Sequence, residues 1–330
     1  MSEPLRYGVV GCASMGHTHA DALASVDGAE LVAGADRDGE VSDSFGEAYD
    51  CAAYTDAGEM AETEGLDAAS VCTPNGTHAD VVSELAARGV HVLCEKPLEV
   101  TPERVEAVID VCQEAGVQLG GVYQRRTRPE MRLAREAVRS GAVGELVLLD
   151  VAVKWHRGDD YYRGWHGSAE LDGGVLHTQA LHGIDLLGWV GGDVARAAGT
   201  LSTRNHAIEV PDTASATVEF ECGASGTVSA TTAMEPQYPI SLSVHGTEGS
   251  LRISEGEVEA YEDNQGSVAY DLPEFEHGAG HAGQIRDFVA AIREGREPMV
   301  PPEEARRALD TVFAIQESDR TGAWVSVGSD

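Results

Sequence analysis

Lysine is nearly absent from this chain of 330 residues: of 23 basic side chains only Lys96 and Lys154 are lysines. Lys96 stands in Glu95-Lys96-Pro97, directly after an apolar run. A compact amine there can give and take a proton, which a permanently charged guanidinium cannot. A solvated loop lysine is the plainer reading of the same residue.

The N-terminal end carries the marks of a dinucleotide site. Gly11-Cys12-Ala13-Ser14-Met15-Gly16 follows a β-rich run and opens a helical one. The pattern is G-x-A-x-x-G, with Ala13 where the usual dinucleotide fingerprint has its second glycine. Such glycines permit a tight turn and close approach of a pyrophosphate to a helix N-terminus. Asp36 ends the next β-rich run, where a carboxylate can hold the adenosine ribose 2′-hydroxyl. Asp36 repels a 2′-phosphate and favours NAD; Arg37 beside it can pair with that phosphate or stack on adenine, which keeps NADP open. Thr73-Pro74-Asn75 with His78, and Glu95-Lys96-Pro97, follow strands on the same side as the glycine loop. In an open parallel sheet the strand carboxyl ends line the ligand crevice.

The elements that must position these groups fall into two sets. Residues 1–122 alternate β-rich runs (Leu5–Val10, Glu30–Ala35, Ala68–Cys72, Val90–Cys94, Val117–Val122) with helical stretches (Met15–Ser25, Gly39–Tyr49, Thr77–Arg88, Pro102–Ala115). Thr101 before Pro102 is a good helix start. The alternation predicts right-handed βαβ units, a parallel sheet and a Rossmann α/β domain over 1–122. Residues 123–330 read differently: a helix over Pro129–Ser140, a strand over Glu145–Trp155, an aromatic and glycine-rich loop, and a helix over Gly174–Val190. Six β-rich segments between Val194 and Tyr261 and two closing helices follow. That order predicts an α+β domain with a large, mostly antiparallel sheet.

The chain resembles the Gfo/Idh/MocA family of NAD(P)-dependent oxidoreductases over nearly its whole length. The resemblance rests on the glycine loop, Thr73-Pro74-Asn75 with His78, Glu95-Lys96-Pro97, Asp172-Gly173-Gly174 leading to His182-Gly183-Ile184-Asp185, and the stretch from Asp287 to Gly322. It implies a nicotinamide over the second domain's sheet, a substrate-binding and oligomerisation role for that domain, Lys96 and His182 flanking the substrate hydroxyl, and a cis Lys96–Pro97 bond. Drawing a hydride from a carbinol carbon requires the hydroxyl proton to leave; a histidine, titrating at about 6.5, suits that transfer, and a lysine ammonium can steady the developing alkoxide. A core histidine is the plainer reading of His182. Many relatives have Asp where this chain has Thr178, which cannot act as a carboxylate but can hydrogen-bond a substrate hydroxyl. Neighbouring Gln179 matches a subgroup with a polar pair at this point. Asp185 either orients His182 or anchors the helix. Tyr161, Tyr162, Trp165 and His166 are candidates for a sugar-binding face, with core packing as the alternative. Gln124, Arg125 and Arg126 lie where relatives approach nicotinamide or substrate, or are arginine-rich surface. The expected activity is that of a dehydrogenase or reductase of a sugar, inositol or sugar derivative, in a dimer or tetramer. The same fold also hosts an NAD-dependent glycoside hydrolase and non-catalytic nucleotide-binding regulators.

Other chemistry has little footing. The six cysteines have no zinc spacing, no nucleophile elbow or Walker lysine is present, and no metal is expected. Gly-Ala-Gly between His277 and His281 discourages a helical metal pair, though His281 can reach the cleft from its helix start. His17 and His19 belong to the loop and first helix. No signal-peptide pattern precedes Leu5 and no apolar stretch approaches the length of a membrane span, so a reduced, cytoplasmic setting is expected. The formal charge of −33, spread over both halves, repels nucleic acid and anionic membranes. It fits a halophilic protein: at molar salt the Debye length is about 3 Å, so surface carboxylates cease to repel one another. The melting temperature is therefore expected to rise from dilute buffer to molar KCl; a flat or falling trend would refute the halophilic reading.

Overall fold

The computed structural model describes residues 3–328. The chain forms two compact units, Met1–Gln124 with Glu276–Ala305, and Arg125–Phe275 with Arg306–Asp330. A single division at 122/123 thus differs from the packing in one respect: residues 276–305 return to the first unit.

In the first unit β1 (Leu5–Val10), β2 (Ala29–Ala35), β3 (Ala52–Tyr54), β4 (Ala68–Val71), β5 (His91–Cys94) and β6 (Leu119–Gly121) form a parallel sheet in the order β3-β2-β1-β4-β5-β6. This is the doubly wound order, reversing direction at β1/β4, where such sheets open a ligand crevice. Helices α1 (Ser14–Leu23), α2 (Gly39–Tyr49), α3 (Ala57–Glu64), α4 (His78–Ala86) and α5 (Pro102–Ala115) connect the strands. Buried runs such as Ala68–Val71 explain why β4 has no alternation: it is covered on both faces. Thr101 caps α5 as expected, its hydroxyl accepting the Arg104 N–H at 3.4 Å, with Pro102 in the first turn. The periodicity did not reveal β3 and α3. β3 has three residues, and α3 is acidic with a short buried stripe at Ala57, Gly58, Met60 and Ala61, capped by Asp56.

The second unit holds α6 (Pro129–Arg139), β7 (Leu146–Lys154) and α7 (Leu181–Gly191). Seven strands follow: β8 (Val194–Ser202), β9 (Thr213–Phe220), β10 (Ser225–Thr231), β11 (Ser241–Gly246), β12 (Gly249–Ser254), β13 (Glu257–Asp263) and β14 (Gly266–Ser267). Gly280–Glu294 and Pro302–Thr321 are α8 and α9, and β15 (Val325–Ser326) closes the chain. The nine strands lie in the order β14-β13-β12-β11-β7-β10-β9-β8-β15, antiparallel except for the β7/β10 pair. Period-two burial sets the faces: Leu149, Val151 and Val153 of β7 and Val228 and Ala230 of β10 point to the core, whereas Asp150, Thr227 and Ser229 lie opposite. Close packing of α7 is possible because residue 183 is glycine; a Cβ there would sit 2.8 Å from a Val151 methyl.

The sequence places one continuous helix over Gly174–Val190. Instead, Leu176–Ala180 is a π-turn that runs into α7. The extra residue shifts the helical phase of the residues before the turn against those after it. Asp185 is held by Arg126, whose Nε lies 3.0 Å from each carboxylate oxygen and whose Nη2 lies 2.6 Å from Oδ1. Both side chains are buried, and Trp189 stacks under the guanidinium at 5.7 Å. Asp185 thus anchors the helix to the turn before α6, and Arg126 is not surface. Arg126→Ala is expected to cost about 3–5 kcal/mol by stripping a buried carboxylate of its strongest partner. Arg126→Leu combined with Asp185→Leu should recover part of that loss, as read by urea unfolding in molar salt. A single variant as stable as wild type would contradict the assignment.

Candidate active site

The first unit supplies the cofactor side. β1 ends at Val10, and Gly11 takes φ +91°, in the left-handed region that favours glycine. A Cβ at residue 11 would lie 2.6 Å from the Cys72 carbonyl carbon, and one at residue 16 would lie 2.2 Å from the Gly11 oxygen. Both positions demand glycine. Ala13 does not: it sits at φ −78° in an exposed, ordinary conformation at the head of α1, and its methyl is tolerated. No side chain caps α1, so the N–H groups of its first turn, around Ser14 and Met15, are available to a phosphate. Asp36 sits at the end of β2. Its Oδ2 accepts the Cys12 N–H at 3.0 Å and its Oδ1 accepts the Asp38 N–H at 3.0 Å. The carboxylate stitches the glycine loop to β2 and keeps lone pairs for ribose hydroxyls; Arg37 next to it is exposed. The loop, the uncapped helix and this acid fit a dinucleotide.

Two further turns lie at the same sheet edge. Thr73-Pro74-Asn75 follows β4, closed by a Thr77 hydroxyl that donates to the Pro74 carbonyl at 2.7 Å. Glu95-Lys96-Pro97 follows β5 with a cis Lys96–Pro97 bond, as the resemblance implied. His78 ties the turns together: its ring nitrogens lie 2.8 Å from the Pro97 carbonyl and 2.9 Å from the Thr73 carbonyl. Burial lowers its pKa against the pull of those carbonyls. His78 is wholly buried. Glu95 is buried too, and its Oε1 accepts the His19 Nε2–H at 3.0 Å while its Oε2 accepts the Lys96 N–H at 3.1 Å. His281, from the head of α8, brings Nε2 to 3.5 Å of the same Oε1. Burial alone would raise the Glu95 pKa; the two histidines overcome it and hold the carboxyl well below the usual range. The ligating atoms of His19, Glu95 and His281 lie within 4.8 Å of one another, close enough to surround an ion. His277 keeps apart from this group, facing Asp287 at 3.7 Å. Sequence reading saw His19 and His281 but had no means of joining residues so far apart in the chain.

The second unit holds the other predicted residues. The π-turn brings Thr178 and Gln179 inward, both buried. The Thr178 hydroxyl lies 3.0 Å from the Gly174 carbonyl oxygen and beside the Gln179 amide oxygen. The Gln179 amide donates to the Tyr161 hydroxyl at 3.0 Å. Tyr161 stacks on His166 with ring centres 3.9 Å apart, and Trp165 lies on the other side at 3.7 Å. Tyr162 shares a 2.7 Å hydrogen bond with Thr232. The four predicted aromatic residues thus form one cluster, with Tyr162 edge-on to Tyr161, tied to Gln179. His182 is buried, with Trp155 at 6.2 Å. Arg125 covers the same indole at 5.7 Å and pairs with Glu255, so it too is not loose surface.

Two supports of this loop escaped sequence reading. Arg157 lies over the rings of Trp155 and Tyr161, at 5.0 and 5.2 Å. His206 donates through Nδ1 to Asp212 at 3.0 Å, while its Nε2 lies 2.8 Å from the Arg157 carbonyl. Asp212 also accepts the backbone N–H groups of Arg204, Asn205 and His206. An Asp or Asn within a polar loop signals a turn, but nothing local reveals that its partner shores up a loop about fifty residues earlier.

These features define a nucleotide-dependent oxidoreductase, and comparison with known proteins agrees. Residues 5–123 match the oxidoreductase family with an NAD-binding Rossmann fold, and residues 131–252 match the GFO/IDH/MocA C-terminal domain. D-apiose dehydrogenase of Paraburkholderia graminis is 28% identical, covering 97% of this chain and 89% of its own. D-xylose 1-dehydrogenase (NADP(+)) 2 of Haloferax volcanii is 30% identical, covering 80% and 81%. The WlbA dehydrogenase of Bordetella pertussis, solved with NADH and UDP-GlcNAcA, superposes with a TM-score of 0.92 at 29% identity over 99% of this chain and 100% of that one. The chain belongs to the Gfo/Idh/MocA family and is an NAD(P)-dependent oxidoreductase. No described helix is long and apolar enough to cross a membrane.

His177 records how tightly the π-turn is buried. It has no exposure, its Nδ1 lies 3.0 Å from the Gly173 carbonyl, and burial pushes its pKa from 6.5 down to about 4. Between those values the unfolded chain binds a proton that the folded one refuses, so stability falls as pH drops through this window. His177→Gln keeps a donor for Gly173 but cannot titrate. Between pH 7.5 and 5 it is expected to lose about 2 kcal/mol less than wild type, measured by urea unfolding. Equal losses would refute the assignment.

Proposed function

We propose that this enzyme moves a hydride between NAD and a hydroxyl-bearing carbon of a sugar, an inositol or a sugar derivative. One observation carries the reading. The glycine loop with Asp36, the Thr73–Asn75 turn and the Glu95–Pro97 turn share one edge of the parallel sheet, so Lys96 stands among groups suited to a dinucleotide. The relatives named for apiose and xylose, and the one solved with UDP-GlcNAcA, support a carbohydrate substrate. They give no support to the hydrolase or regulator alternatives.

The bound nicotinamide supplies the hydride acceptor, and the chain does the rest. In this reading Gly11, Ala13, Ser14, Met15 and Gly16 receive the pyrophosphate, while Asp36 holds the ribose. Thr73, Pro74, Asn75 and Gln124 border the nicotinamide half, and Glu95 and His78 fix the turn that carries Lys96. His182 accepts the hydroxyl proton at an imidazole nitrogen, and the Lys96 ammonium steadies the alkoxide. Thr178 and Gln179 hydrogen-bond substrate hydroxyls without taking a proton. Tyr162, Trp165 and His166 offer the aromatic face on which a sugar ring packs. Asp36 supports NAD over NADP, with exposed Arg37 and the NADP-named xylose relative supporting the second choice. A homodimer or homotetramer in the cytoplasm completes the proposal; six free cysteines agree with a reduced compartment.

The test is a panel of sugars and polyols in molar salt, followed by NADH absorbance with either cofactor. Lys96→Met and His182→Ala are each expected to lower kcat about a hundredfold or more on the best substrate. Both variants should still bind NADH. Near-full turnover in both would overturn the roles, and faster turnover with NADP would overturn the cofactor choice.

A further inference from the structure

We infer that His19, Glu95 and His281 form a clamp that sets the position of Lys96, with His19 and His281 as positioning residues. The inference rests on the reading of Lys96 as the group that acts on substrate. All three clamp members lie in the first unit, on α1, after β5 and at the head of α8.

Glu95 is the hinge of the argument. A buried carboxylate must be satisfied, because an unpartnered one costs several kcal/mol or takes a proton instead. One oxygen faces the two histidines and the other accepts the main-chain N–H of Lys96. The orientation of the carboxylate, set from the histidine side, therefore fixes the backbone from which the lysine side chain starts.

The inner arm of the clamp is rigid. His19 is buried, and its Nδ1 lies 2.8 Å from the Ser70 hydroxyl, which lies 3.0 Å from the Tyr7 hydroxyl. With His19 neutral, Nε2 donates to Glu95, Nδ1 accepts from Ser70 and Ser70 accepts from Tyr7. Each proton has one acceptor, so a neutral His19 satisfies the whole run from β1 through β4 to Glu95. A histidine held in this way has its tautomer and ring plane set by its outer partner.

The outer arm is looser. His281 retains 19% of its side-chain exposure and meets Glu95 at 3.5 Å, an ion-pair separation rather than a short hydrogen bond. Its ring lies 5.4 Å from that of His19. Removing His281 leaves the fold's interior intact but deprives Oε1 of one of its two partners. The carboxylate can then rotate toward His19 and release Lys96 N–H. Displacements of that order at a reacting group cost far more rate than stability.

The scarcity of lysine makes the test direct. Reductive methylation with ¹³C-formaldehyde keeps the charge on each amine and labels only Lys96, Lys154 and the chain terminus. Lys96→Arg and Lys154→Arg assign the resonances. His281→Ala is expected to shift the Lys96 signal and leave that of Lys154 in place. His281→Gln, whose amide can donate to the same oxygen, should return it toward the wild-type position. Glu95→Gln, which keeps the shape and loses the charge, should shift it as well. On the best substrate of the panel, kcat should fall about tenfold in His281→Ala and recover in His281→Gln. That loss should vanish in a Lys96→Met background, because a residue acting through Lys96 has nothing left to position. A Lys96 signal unmoved by both His281→Ala and Glu95→Gln overturns the clamp. Stoichiometric zinc retained through dialysis by wild type and lost by His281→Ala also overturns it, by making the cluster a metal site. If Lys96→Met itself keeps full turnover, the catalytic reading fails, and the labelled resonances still decide the clamp.

Discussion

A methyl group at residue 16 would stand 2.2 Å from the carbonyl oxygen of Gly11, and one at residue 11 would press on the backbone after β4. This steric limit governs the first unit. Because both side chains are missing, α1 can start immediately where β1 stops, with its N-terminus at the sheet edge. β4 can then run close beside β1, bringing the Thr73–Asn75 turn alongside. Ala13 lies between the two constrained positions and escapes the limit, since its side chain points away from the packed backbone. The departure from the usual fingerprint therefore falls where the geometry forgives it.

Buried charge does the remaining positioning, and in each unit it follows one rule. A carboxylate taken out of water must find donors, and the donors it finds lie on other loops. In the first unit Glu95 draws α1 and α8 to the turn that bears Lys96. In the second unit Asp185 takes Arg126, and Asp212 gathers the backbone of 204–206 together with His206. The acidic surface and these buried acids are different populations. The first is exposed to solvent and salt, whereas the second is paired within the protein and screened far less.

The site was legible in the sequence to differing depths. Gly11, Gly16 and Asp36 could be read from local spacing, because a strand, a tight turn and a helix constrain them within a few residues. Lys96 could be read from composition, since an isolated lysine in an arginine-biased chain is a chemical exception. The β3 and α3 pair was illegible because three residues show no period and α3 buries too short a stripe. The π-turn at Leu176–Ala180 was illegible for another reason: its apolar pattern is compatible with an ordinary helix, and only the packing of His177, Thr178 and Gln179 inward selects the wider turn.

The sequence by itself determined the class of each unit, the cofactor loop and the residue types available for proton transfer, because these depend on periodicities and spacings that act over one or two elements. Only the tertiary structure decided which partner each buried polar group takes. Asp185 lies with Arg126, and Glu95 lies between His19 and His281. Likewise, residues 276–305 return to the first unit, although the sequence carries no break that announces it. Pairing of this kind is settled by which donors the packed backbone brings within about 3 Å, a condition that no local stretch of chain contains.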